Sequence, residues 1–147
     1  MFPIKDEQGQ CMAFGGRVIG KGEPKYLNSQ ETPLFHKGRM LYALDKAKAA
    51  MASTGVAVVS EGYTDVIAMH EAGIRNAVAT LGTALTRTHI RVLSRHARNR
   101  IVYLFDGDAA GQRAADRALQ FIDSSMTPEA GAARIDLFAV TLPDNLD

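Results

Sequence analysis

An α/β fold is predicted: a mostly parallel central sheet of about four strands flanked by helices, preceded by a small antiparallel β segment. Three observations predict it. From Arg39 onward, short apolar runs alternate with helix-forming stretches. The runs are nearly continuous in apolar character, as expected of strands covered on both faces. Acids follow directly after several of these runs, at the ends of the expected strands.

The first 38 residues differ in character, being rich in Gly, Pro and Lys. Phe2–Lys5 reads as a strand, residues 7–10 as a turn around Gly9, and residues 11–19 as a second strand interrupted by Gly15 and Gly16. Together they form a hairpin pattern. Lys25, Tyr26 and Leu27 can add a third short strand. So small a sheet is only marginally stable alone, so it is expected to belong to a larger sheet whose other strands lie outside this chain.

Residues 39–53 carry Ala, Leu and Met and are expected to be helical. A strand follows at 56–59, a helix at 64–72 stopped by Gly73, and a strand at Ala77–Ala79. Then come a helix at 87–97, a strand at 101–105, a helix at 109–122, a loop at 124–131 and a strand at 135–140. This order implies a parallel sheet with helices on both faces.

Composition bounds the function. The 147 residues allow one domain, or one domain with a small appendage. Hydrophobic residues at 46% and charged residues at 22% are ordinary for a soluble globular chain. No apolar run approaches the roughly 18–20 residues of a membrane span, and the N-terminus lacks a signal-peptide layout. The single cysteine, Cys11, excludes an internal disulfide and leaves no basis for a cysteine-built zinc site. A reducing, cytoplasmic setting is expected.

A net charge of +1 does not itself indicate a polyanion partner. Residues 85–105, however, hold Arg87, Arg91, Arg95, Arg98, Arg100, His89 and His96 and no acid. Two readings are open: a nucleic-acid face, or a helix whose charged partners lie elsewhere in the fold.

The placement of the acids is the most informative feature. Glu61 ends the strand at 56–59 through Ser60, Asp106 and Asp108 end the strand at 101–105, and Asp144 and Asp147 follow the last strand. Asp65 falls in the first turn of the next helix, across Gly62 from Glu61. In open α/β sheets, ligands bind outside the carboxyl ends of the strands. Each acid alone also fits a helix cap or a turn. As a set at one edge, they repel unless a cation neutralises them. An all-oxygen donor set selects Mg²⁺ or Mn²⁺, ions suited to phosphoryl transfer. Residues 81–84, after the strand at Ala77–Ala79, can present backbone N–H groups to a phosphate.

Two near matches fail. Gly15 to Lys21 has P-loop spacing, but Gly22 stands where Ser or Thr must bind the metal, and Pro24 follows where a helix should begin. Asp106-Gly107-Asp108 has Ala110 where an aspartyl-phosphate phosphatase needs Thr.

Glu61-Gly62-Tyr63-Thr64-Asp65 together with Asp106-Gly107-Asp108-Ala109-Ala110-Gly111 resembles the Toprim domain. This is the catalytic fold of bacterial primases, type IA and II topoisomerases and some nucleases. Pro24 to Ser29, Glu31 to Gly38, Phe2-Pro3-Ile4, Phe14 to Arg17 and Ala79 to Ala84 are similar to bacterial primases in particular. The resemblance covers essentially the whole chain.

It implies that residues 1–38 end the primase N-terminal core subdomain and that 39–147 form the Toprim subdomain. It implies Glu61, Asp106 and Asp108 as catalytic metal-site acids, with Asp65 and Asp147 as further metal ligands; Glu61 serves alternatively as a general acid or base. Arg17, Lys25, Tyr26, Asn28 and Lys37 become the nucleic-acid or nucleotide-binding set. The family pattern after the last strand has Gly where this chain has Asn145.

The implied activity is Mg²⁺-dependent synthesis of RNA primers from ribonucleoside triphosphates on a single-stranded DNA template, Mn²⁺ substituting. The alternatives are a Toprim nuclease or a non-catalytic single-stranded DNA-binding module. Zinc and the replicative helicase are expected to engage family domains outside this chain. The chain alone is expected to be monomeric, free of membranes, and weakly active or inactive.

Overall fold

A computed structural model of the chain describes residues 1–108, 111–113, 115–117 and 135–143. Asp144, Asp147 and the loop expected at 124–131 lie outside the described residues, as does most of the helix expected at 109–122. Of that helix, 111–113 and 115–117 are described and helical. Among the described residues, no helix is long and apolar enough to cross a membrane.

The expected hairpin is present. Strands β1 (Phe2–Lys5), β2 (Cys11–Arg17) and β3 (Tyr26–Asn28) form an antiparallel sheet in that order. Its first turn is built by Asp6, whose carboxylate accepts from the backbone N–H groups of Gln8 at 3.0 Å and Gln10 at 2.9 Å. Gly9 takes the left-handed conformation that closes the turn (φ 86). Among the described residues this sheet gains no further strand. Within the chain it is docked: Ile4 and Ala13 pack with Phe35, Tyr63 and Leu81 in one buried cluster.

The second sheet contains β4 (Val56–Ser60), β5 (Ala77–Ala79), β6 (Arg100–Phe105) and β7 (Asp136–Thr141). Its order is β5-β4-β6-β7, with every neighbouring pair parallel. Helices α1 (Leu44–Thr54), α2 (Tyr63–Glu71) and α3 (Arg87–Ser94) connect the strands. Leu44, Ala47 and Met51 of α1 share the main core with Val59, Val78, Val92, Leu93, Ile101 and Phe105. Burying each large aliphatic side chain contributes roughly 1.5–3 kcal/mol.

The strand order also locates the site. The chain leaves β4 toward β5 on one side and leaves β6 toward β7 on the other. The connections diverge between β4 and β6, and a crevice opens at the carboxyl ends of those two strands.

The helix expected at 39–53 begins only at Leu44. Residues 39–42 contain good helix formers, but tertiary pairing overrides propensity. Tyr42 donates its N–H to the Ala79 carbonyl (2.8 Å) and accepts from the Ala79 N–H (3.2 Å), lengthening the sheet margin. Ala43 then turns through a left-handed conformation (φ 66) into α1.

The basic run resolves into separate roles. His89 is fully buried. Arg95 and His96 both approach the Glu7 carboxylate, at 3.8 and 3.2 Å, and Lys48 donates to the Glu7 carbonyl at 2.6 Å. These contacts tie the β1–β2 turn to the larger sheet's layer. Arg100 lies over the Phe138 ring, 5.2 Å from its centroid. Arg87, Arg91 and Arg98 remain exposed.

Candidate metal centre and nucleic-acid interface

Glu61, Asp106 and Asp108 are delivered by strand ends, and Asp65 by the first turn of α2. Val56 to Val59 pair in register with Arg100 to Tyr103, so Glu61 and Asp106 leave adjacent strands at nearly the same level. The Glu61 carboxyl is raised above its ordinary value, first by partial burial and then by the charges of Asp106, Asp108 and Asp65. Carboxylates 45 residues apart in sequence thus feel one another's charge across the crevice.

Two of these acids also perform the local tasks that acids at strand ends commonly perform. Asp65 accepts from the Gly62 N–H at 3.1 Å, as a third-position carboxylate does at a helix start. Asp108 accepts from the Gly111 N–H at 2.7 Å. Two glycines permit the tight path after β6. A Cβ on Gly107 would overlap the Pro143 carbonyl oxygen, and one on Gly111 would overlap that of Asp106. Among the described residues, no three His, Cys, Asp or Glu side chains are gathered closely enough to enclose an ion. Asp147, expected as a further ligand, lies outside the described residues.

Like charges in a shared site cost stability. The raised carboxyl of Glu61 binds protons more readily folded than unfolded, so its contribution weakens as pH rises from the unfolded value through the folded one. Glu61→Gln is therefore expected to raise the melting temperature in EDTA at neutral pH, with the gain shrinking on acidification. Calorimetry on both proteins across pH checks this; a lower melting temperature for the variant at neutral pH would contradict it.

Beyond Glu61 the margin is lined by buried polar groups. Tyr103 hydrogen-bonds Thr80, and burial pushes its phenol up to about 12, with Glu61 adding to the rise. Tyr63 is likewise pushed up to about 12, chiefly by burial and then by Tyr42. The loop after β5 sits beside Glu61, because the Thr80 N–H donates to the Ser60 carbonyl at 3.1 Å. In that loop the Thr83 hydroxyl is buried with no hydrogen-bond partner among the described residues.

The residues expected to hold nucleic acid lie mostly on the small sheet and the segment after it. Arg17 and Tyr26 pair across β2 and β3, and the guanidinium stands 5.6 Å from the ring centroid, forming an exposed stacking platform. Lys25 and Lys21 line a shallow cavity with Arg17 at the β2–β3 connection, where Ile19 is fully exposed. In the sequence, Lys21 stands out only within the rejected P-loop match.

Asn28 is half-buried, and its amide is committed: Nδ2 donates to the Leu81 carbonyl at 2.9 Å, and Oδ1 accepts from the Tyr63 hydroxyl. Lys37 is held through its backbone, its N–H donating to Glu31 at 3.0 Å and its carbonyl accepting from His89 at 2.9 Å. Neither the His89 contact nor the Tyr63 contact is visible in sequence, since the partners lie 52 and 35 residues away.

A parallel sheet with carboxylates at its switch point defines a class, and comparison agrees. The chain belongs to the Toprim domain family, whose model matches residues 55–135. Residues 1–48 match the DNA primase catalytic core, N-terminal domain. The chain is 50% identical over 148 residues to the DNA primase of Synechococcus elongatus, covering 100% of this chain and 21% of that protein. It is 52% identical over 120 residues to the DNA primase of Escherichia coli, covering 82% of this chain and 20% of that one.

Among solved structures, it is similar to a DNA primase domain from Pseudomonas aeruginosa. That match has a TM-score of 0.86 and 48% identity over 100% of this chain and 44% of that one. It is also similar to a DnaG primase catalytic domain bound to single-stranded DNA, with a TM-score of 0.83 and 46% identity over 99% of this chain and 45% of that one. The chain spans about a fifth of the length of the curated relatives it matches.

Proposed function

We propose that this chain supplies the metal-binding part of a DNA primase active site, acting on a single-stranded DNA template with ribonucleoside triphosphates as substrates. The observation that carries this reading is the convergence of Glu61 and Asp106 at the ends of two paired strands, where the Glu61 carboxyl is raised first by burial and then by the charges of Asp106, Asp108 and Asp65. The donor set is all carboxylate, which fits a hard divalent ion such as Mg²⁺ or Mn²⁺. Glu61, Asp106 and Asp108 would hold it, with Asp65 assisting.

When bound, the ion supplies Lewis-acid activation of the attacking hydroxyl and offsets the charge that develops at the leaving pyrophosphate. The chain's own groups do the rest. Arg17, Lys25 and Lys37 hold phosphates without reading sequence. Tyr26, braced by Arg17, offers a ring on which a base can stack. Tyr103 and Thr80 lie buried beside Glu61. The residues before 39 act as the template-holding unit, and those after it as the acid-bearing unit.

Calorimetric titration of the chain with Mn²⁺ tests the reading. Saturable binding, competed by Mg²⁺ and weakened in Glu61→Gln, is expected. Absence of binding would leave only a non-catalytic DNA-binding module. Cleavage of labelled single-stranded DNA with Mn²⁺, where a full-length protein carrying this segment makes no primer, would establish a nuclease instead.

A further inference from the structure

The small sheet and the acidic margin meet at one joint. Tyr63, two residues beyond Glu61, is 5% exposed. Its ring stacks on Phe2 with centroids 5.0 Å apart and meets Tyr42 edge-on at 4.8 Å. Gly15 on β2 makes room for it, since a Cβ there would stand 2.6 Å from the ring. The Tyr63 hydroxyl donates to Asn28 Oδ1, and Asn28 Nδ2 donates to the Leu81 carbonyl. A single amide thus connects the turn after β4, the strand β3 and the loop after β5.

The register shows what that connection fixes. Asn28 pairs with Gly15, and Tyr26 pairs with Arg17, so Asn28 and Tyr26 lie on the same face of the small sheet. Two residues of strand separate them by about 7 Å. The stacking pair therefore stands one repeat along β3 from the joint, and Glu61 stands two residues from it along the other segment.

We infer that Tyr63 and Asn28 are positioning residues that set the spacing between the Arg17–Tyr26 platform and the acidic margin, so that nucleic acid held on the platform meets the acids at one fixed distance. The inference rests on the primase reading above. Neither side chain touches substrate; both act through the groups they connect. A misplacement of about 1 Å at such a joint can lower a rate by up to about a hundredfold, even when each half-site still binds.

The test uses a full-length primase carrying this segment, with Tyr63→Phe, Asn28→Ala and the double variant. Tyr63→Phe removes one oxygen and leaves the ring contacts intact. The measurements are kcat for primer extension, the dissociation constants for Mn²⁺ and single-stranded DNA, and the melting temperature.

For Tyr63→Phe, both dissociation constants are expected within about twofold of the parent while kcat falls about tenfold. The double variant should be no slower than the slower single variant, because both changes break one joint. The inference is overturned by a kcat for Tyr63→Phe within twofold of the parent. It is equally overturned by parallel losses in both affinities and melting temperature, or by multiplicative effects in the double variant.

If the parent makes no primer, the primase reading falls. The spacing is then decided by Mn²⁺-induced relaxation of the Tyr26 ring protons. A change on Tyr63→Phe supports the joint, and no change overturns it.

Discussion

Asp106→Asn combined with Asp108→Asn abolishes primer synthesis by a full-length primase carrying this segment, lowering the rate by on the order of a thousandfold or more. Asparagine is the informative replacement. Asp108 Oδ1 accepts from the Gly111 N–H at 2.7 Å, and an amide oxygen retains that contact while losing the charge. Alanine would also loosen the turn after β6 and confuse folding with chemistry. Single-stranded DNA affinity should stay within about twofold, because the platform that would hold it, Arg17 and Tyr26, belongs to the other sheet. Mn²⁺ affinity should fall sharply. A double variant that extends primers at the parent rate would end the metal-centre reading.

The second large effect is on stability. His89→Ala is expected to cost about 3 kcal/mol, which lowers the melting temperature of a chain this size by on the order of 10 °C. His89 is fully buried at the third position of α3 and forms a reciprocal cap with Thr86. Its N–H donates to Thr86 Oγ1 at 3.1 Å, while Nδ1 accepts from the Thr86 N–H at 3.2 Å. Nε2–H then faces the carbonyls of Lys37 at 2.9 Å and Met40 at 3.1 Å. Alanine leaves those carbonyls and the Thr86 N–H without their partners and opens a cavity.

The same geometry requires a neutral ring, since a proton on Nδ1 would oppose the Thr86 N–H. Burial accordingly lowers the His89 pKa, against the raising influence of the Lys37 and Met40 carbonyls. The unfolded chain binds this proton more readily than the folded one. The contribution is therefore complete above the unfolded value of about 6.5 and declines as pH falls from there toward the folded value. Thermal unfolding of parent and variant between pH 7.5 and about 5 checks both points. A stability gap that widens on acidification would contradict the assignment.

Much of the fold was readable in sequence because the inner strands β4 and β6 of the parallel sheet are largely buried. Val56 to Val59 and Ile101 to Phe105 carry that burial as continuous apolar runs, and the acids that follow them pointed to one edge as the place to look. Where reading failed, the deciding contacts were remote. Residues 39–42 look helical, yet Tyr42 pairs with Ala79, 37 residues on. The basic run left two readings open, and the contacts of Arg95 and His96 with Glu7 agree with partners elsewhere in the fold, while His89 is a buried cap that no pattern signalled. The hydrogen bonds of the Asn28 amide to Tyr63 and Leu81 were equally out of reach of the sequence. Asp65 and Asp108 combine a local capping task with proximity to Glu61, so the bland and the functional readings of those acids coexist.

The strand order β5-β4-β6-β7 has a temporal side. A ribosome releases Glu61 and then must deliver more than forty further residues before Asp106 and Asp108 can arrive beside it. Until then Glu61 has only Asp65 of its three acidic neighbours nearby. Most of the electrostatic tension enters when β6 is laid beside β4, after α1, α2, β5 and α3 have been made and can supply much of the hydrophobic interior that withstands it.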